Sequence, residues 1–137
     1  MVDALVDTSI VIDLIRGFHD AVYWLESTNN ELGVTYYVWL EIIEVAPDKR
    51  KLKDAMEILS DFELVDTKDL DIKWAVEELS RVSLSHNVDA MDALIASTAH
   101  RLNIPLYARN LKHFKPLLGD LAQKPYRVER LTRQVNL

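Results

Sequence analysis

Short apolar runs alternate along the chain with longer stretches of helical period. Ala4–Val6 is apolar and stops at Asp7, the pattern of a buried strand meeting a loop. Thr8-Ser9 can cap a helix that begins near Ile10 and stops at Gly17. A second helix is expected from about Asp20 to Glu26, followed by the turn Ser27-Thr28-Asn29-Asn30. Leu32–Thr35 reads as the second strand. Val38–Val45 is helical by pattern, Pro47-Asp48 breaks it, and Lys51–Leu59 continues as an amphipathic helix. Phe62–Val65 reads as a third strand. Ile72–Leu84 carries Trp74, Ala75, Leu79 and Val82 at helical spacing. The sharpest helix is Ala90–Leu102, where Met91, Leu94, Ile95, Thr98 and Leu102 recur on one side. Asn103-Ile104-Pro105 ends it, and Leu106-Tyr107-Ala108 reads as a strand. Leu111–Leu118 is expected as a short helix closed by Gly119, and Arg127–Leu131 alternates weakly, like an edge strand.

Strands alternating with helices imply an α/β sandwich with a mainly parallel central sheet. In such sheets ligands sit at the carboxyl ends of the strands. Asp7 follows the first strand and Asn110 the fourth, so both are placed at that edge. The 137 residues have the size of one domain, here 1–137. No cysteine is present, which excludes disulfides, thiolate metal sites and cysteine nucleophiles and leaves Asp, Glu and His as ligands. No run of 18 apolar residues predicts a membrane span, and MVDALVDTS does not read as a signal peptide, so a cytoplasmic protein is expected.

The net charge of −6 is unevenly spread. Residues 1–99 hold 8 Lys/Arg against 20 Asp/Glu, and residues 100–137 hold 8 against 2. Such a chain could hold cations in one place and phosphates in another, or carry two solvated surfaces.

Five acids are candidates for chemistry. Asp7 directly follows a buried strand, so it is either a rigid ligand or a helix cap. Ser9 lies where its hydroxyl could steady Asp7. Glu41 and Glu44 fall in the apolar stretch Val38–Val45. Buried, they would need a partner such as a cation; on the solvent face they would not. Asp89 and Asp92 share one helix face, with Asp89 suited to the cap and Asp92 to the first turn or to a ligand site. Crowded carboxylates raise one another's pKa, and a hard divalent cation restores their charge.

The order of these segments resembles the PIN-domain family. The resemblance is carried by Ala4-Leu-Val-Asp7-Thr-Ser9-Ile-Val-Ile-Asp13 and Val34-Thr-Tyr-Tyr-Val-Trp-Leu-Glu41-Ile-Ile. It continues through Asp92-Ala-Leu-Ile-Ala-Ser-Thr-Ala99, Asn103-Ile-Pro-Leu106 and Ala108-Arg-Asn110-Leu-Lys-His113-Phe114. It implies a three-layer α/β/α sandwich. It also implies a metal-dependent endoribonuclease of the VapC toxin type, with Asp7, Glu41 and Asp92 holding Mg²⁺ or Mn²⁺. By the same resemblance Asn110 is a fourth site residue and Ser9 a supporting hydroxyl, with Glu44 as the substitute for Glu41. Implied partners are RNA, a cognate antitoxin and a second copy of the chain, whose contact could use apolar side chains between Val38 and Leu59.

Two departures stand out: Ala108 replaces a common Thr or Ser, and no Gly follows Glu41 closely. Together with the neutral Asn110, Ala108 motivates an alternative, a non-catalytic PIN-like module that binds protein or RNA. An unrelated phosphate-handling domain fits poorly, because there is neither an Asp-x-Asp at the first strand nor a Gly-rich phosphate loop. His113 reads more readily as structural than as a general base. Arg109, Lys112 and Lys115 could contact phosphates or simply be solvated. Trp24, Trp39 and Trp74 read as core.

Overall fold

In the computed structural model, which describes residues 1–127, five parallel strands form one sheet in the order β3-β2-β1-β4-β5. The strands are β1 (Ala4–Val6), β2 (Leu32–Thr35), β3 (Glu63–Val65), β4 (Leu106–Tyr107) and β5 (Ala122–Gln123). The helices are α1 (Thr8–Ile15), α2 (His19–Ser27), α3 (Tyr36–Val45), α4 (Lys49–Leu59), α5 (Asp69–Val82), α6 (Ala90–Leu102) and α7 (Lys115–Leu118). The chain runs outward from β1 to β3, then returns past β1 to β4. Right-handed crossovers therefore put α1–α4 over one face and α5–α7 over the other. The packing agrees: α1 lies against α2, α3 and α4, while α6 lies against α5 and α7. This is the α/β/α sandwich expected. The reversal makes β1 and β4 the switch point, where the carboxyl ends of strands open a crevice.

Central β1 is wholly buried, as a strand covered on both faces must be. Ile10, Val11 and Leu14 of α1, Val38 and Ile42 of α3, and Ala55 and Leu59 of α4 are buried core residues. So are Ala93, Ile95, Ala96 and Ala99 of α6, whose small side chains suit close packing. Gly33 of β2 is fixed by crowding, since a Cβ there would lie 2.8 Å from Val65 Cγ2. α6 ends at Asn103 with φ 55°, the left-handed conformation that Asn tolerates better than most residues.

Several expected boundaries move. α1 starts at Thr8, because Asp7 rather than Thr8-Ser9 supplies the cap. α3 starts at Tyr36, directly after β2, and α5 at Asp69, where Asp71 accepts the Lys68 N–H at 3.0 Å. The helix expected over Leu111–Leu118 splits into a 3₁₀ turn at Leu111–His113 and α7, with Pro116 in the first turn of α7. The fifth strand is Ala122–Gln123; the edge strand expected over 127–131 lies outside the described residues after Arg127. All three tryptophans pack against the core, as expected. No helix among the described residues is long and apolar enough to cross a membrane.

Candidate active site

Asp7 stands at the carboxyl end of the central strand. Its N–H donates to Tyr107 O at 2.9 Å, which pins it to β4. Its Oδ2 accepts from Ser9 Oγ at 2.7 Å and from Ser9 N at 3.2 Å, so it does cap α1. Ser9 Oγ in turn accepts the Arg109 N–H at 3.1 Å, which ties α1 to the residue just past β4. Burial pushes the Asp7 carboxyl above the usual range, against the pull of its Ser9 hydrogen bonds.

Glu41 is half-buried on α3 and accepts a short hydrogen bond from Thr8 Oγ1. Burial raises its pKa, the Thr8 bond opposes this, and the charges of Asp7, Asp89 and Glu44 raise it further. Glu44 itself is exposed. Asp92, in the first turn of α6, forms a capping box with Asp89. Asp89 Oδ1 accepts the Asp92 N–H at 2.8 Å, and Asp92 Oδ2 accepts the Asp89 N–H at 3.2 Å. Burial drives the Asp92 pKa to about 7, with Asp89, Asp7 and Glu41 adding repulsion. Three separate segments thus deliver acids that feel one another's charge. Contact between α3 and α6 helps bring Glu41 and Asp92 together.

Among the described residues no Lys or Arg pairs with Asp7, Glu41 or Asp92. A basic neighbour is His113, whose Nδ1 lies 3.5 Å from Asp92 Oδ2. Among the described residues, no three acidic or histidine side chains stand close enough, as placed, to hold an ion. Each acid gives one oxygen to a local hydrogen bond: Asp7 Oδ2, Glu41 Oε1 and Asp92 Oδ2. Glu41 Oε2 and Asp92 Oδ1 accept none among the described residues. The donor set is hard oxygen, which suits Mg²⁺ or Mn²⁺, and the acids would have to turn toward one another to share an ion. A cation there would offset both the burial and the mutual repulsion.

The model of the PIN domain matches residues 4–115. The chain belongs to the PIN-domain family. Several solved structures are similar to this PIN domain. A chain of a toxin–antitoxin complex from Klebsiella pneumoniae is 26% identical with a TM-score of 0.75, over 91% of this chain and 99% of that one. A chain of VapBC2 from Rickettsia felis, bound to a DNA fragment from the promoter, is 25% identical with a TM-score of 0.68, over 82% and 90%. FitAcB from Neisseria gonorrhoeae, at 20% identity and a TM-score of 0.68 over 82% and 91%, shares the fold. Among curated proteins, no relative matches.

Other candidates in the PIN domain fare differently. Asn110 is exposed, and its Oδ1 caps the 3₁₀ turn by accepting the Lys112 N–H at 3.0 Å. No hydrogen bond links it to the acids among the described residues. Ala108 is buried and donates its N–H to Gln123 O at 2.9 Å. Arg109 is neither a solvated side chain nor a free phosphate contact: its Nη1 pairs with buried Asp13 Oδ1 at 3.0 Å. Lys112 and Lys115 remain exposed. Neither Thr8 as the partner of Glu41 nor His113 beside Asp92 is evident from the sequence pattern. A hydroxyl next to a strand-end acid was the available signal for Thr8. His113 lies 21 residues from Asp92, and no local pattern reports that contact.

Proposed function

We propose that this chain, as one PIN domain over residues 1–137, is a cytoplasmic VapC-type toxin that cleaves RNA with Mg²⁺ or Mn²⁺. The observation that carries the reading is the trio Asp7, Glu41 and Asp92. They are partly or wholly buried, mutually repelling and, among the described residues, without a Lys or Arg partner, at the switch-point edge of a parallel sheet. Acids so placed must either stay protonated or take a cation from outside. Family membership and the toxin–antitoxin neighbours support the second.

In this reading Asp7, Glu41 and Asp92 hold the ion. When bound, the ion supplies a hydroxide-like nucleophile and stabilises charge on the phosphoryl group. Ser9 and Thr8 keep Asp7 and Glu41 aimed by donating to one oxygen of each. Asn110 supports the rim through its cap of the turn that carries His113. Lys112 and Lys115, exposed nearby in sequence, offer phosphate contacts.

A cognate antitoxin and a second copy of the chain are the proposed protein partners. Tyr36, Leu40 and Ile43 give α3 an exposed apolar stripe at helical spacing, and Trp39, Leu52 and Met56 line a groove beside α4. The second reading, a non-catalytic binding module, is favoured by the engaged amide of Asn110 and by buried Ala108.

Cleavage of a panel of end-labelled RNAs with Mg²⁺, Mn²⁺ or EDTA separates the two. The expected result is cleavage that needs the cation and disappears in Asp7→Asn. Cleavage that persists in excess chelator, or equally in Asp7→Asn, rejects the nuclease; RNA binding without cleavage favours the module.

A further inference from the structure

One charged side chain interrupts the buried face of α1. Asp13 is 2% exposed, yet both its oxygens are engaged. Oδ1 accepts from Arg109 Nη1 at 3.0 Å, and Oδ2 accepts the Tyr126 hydroxyl. Tyr126 lies past residue 115, where the family match ends. Its ring packs 6.0 Å from those of Phe18 and Trp24, and Trp24 meets Tyr107 of β4 edge-on at 5.2 Å. The Arg109 guanidinium lies 6.0 Å from the Phe18 ring centre.

The other end of Arg109 touches the acid cluster. Its backbone N–H donates to Ser9 Oγ, and Ser9 Oγ donates to Asp7 Oδ2. One continuous series of contacts therefore runs from Tyr126 through Asp13, Arg109 and Ser9 to Asp7.

A buried ion pair is a poor source of stability, since apolar side chains of similar volume often serve as well or better. It is a good source of geometry, because a charge held by two directional partners has one orientation. The residue so held is the one whose amide fixes Ser9. We propose that Asp13, Arg109 and Tyr126 are positioning residues. They form a buried brace that locks the Arg109 amide onto Ser9, sets the direction of the Asp7 carboxylate, and makes the segment after β5 part of the site's support. The consequence for metal binding rests on the proposed role of Asp7; the geometric coupling does not.

Two variants test it. Tyr126→Phe keeps the ring and deletes the hydroxyl. The double variant Asp13→Leu with Arg109→Met replaces the charged pair by apolar volume. Hydrogen exchange reads the Arg109 amide against the Leu5 amide, which donates to Pro105 O at 2.9 Å in the same sheet. Mn²⁺ calorimetry reads the site, and Ser9→Ala closes a double-mutant cycle with Tyr126→Phe.

The brace predicts faster exchange at Arg109 with Leu5 unchanged, and Mn²⁺ affinity weakened about tenfold in Tyr126→Phe, the low end for partners that orient ligands. It also predicts little further loss when Ser9→Ala is added to Tyr126→Phe. Unchanged Arg109 protection in Tyr126→Phe, or losses that multiply with Ser9→Ala, would overturn it. If the double variant does not fold, Tyr126→Phe decides alone. If the wild type binds no Mn²⁺, the role of Asp7 falls while the exchange comparison still judges the brace.

Discussion

Asp7 caps α1 and Asp13 lies inside it, and both are nearly buried, at 8% and 2% exposure. Their surroundings differ in one respect. Asp13 meets a guanidinium and a phenol, so its charge is answered within the fold. Asp7 meets the hydroxyl and amide of Ser9, feels the imidazole of His113, and adds its charge to the burden on Glu41 and Asp92. Burial alone therefore does not mark a functional acid. What separates the two is that, among the described residues, no Lys or Arg answers Asp7, and the same holds at Glu41 and Asp92. On the proposed reading, a cation from outside the chain completes the three acids.

Removing the partner of Asp13 breaks this contrast most severely. Arg109→Ala leaves a buried carboxylate unpaired and is expected to cost about 3–5 kcal/mol in urea unfolding. Asp7→Asn leaves no orphaned charge and should unfold at the same denaturant concentration as the wild type or higher. Next comes the choice of acid on α3. Glu41→Gln should lower cation-dependent cleavage about 10–100-fold, whereas exposed Glu44→Gln should change it less than about threefold. Steady-state cleavage rates of the two variants check this.

The smallest effect is on pH dependence without metal. The folded pKa of Asp92, about 7, lies above its ordinary value of 3.8. Between those values the folded chain holds a proton that the unfolded chain has released. This contribution to stability therefore falls as pH rises through the window and levels off above it. Asp92→Asn, which keeps an oxygen for the capping box, should raise the metal-free Tm more at pH 8 than at pH 5. An equal difference at both pH values would contradict the shift.

The contrast also explains what was legible in the sequence. β1, β2 and α6 read well because apolar runs and helical period are local signals. Asp7, Glu41 and Asp92 stood out because each interrupts or ends such a run. β5 was missed because two residues carry no period, and α3 was placed late because Tyr36 and Tyr37 look like strand residues. Asp13 sat in the same opening segment as Asp7, but its partners lie 96 and 113 residues away. Only the folded chain shows that one acid is answered and the other is not. Asn110 had the right address for the site yet spends its amide oxygen on a turn.

On the proposed reading, Asp7, Glu41 and Asp92 take their countercharge from a divalent cation. Calorimetric titration of the metal-free protein with Mn²⁺, beside Asp7→Asn and Asp92→Asn, tests it most directly. The account predicts saturable binding to the wild type that is lost or strongly weakened in both variants. No binding to the folded wild type, or binding unchanged by either substitution, would contradict it.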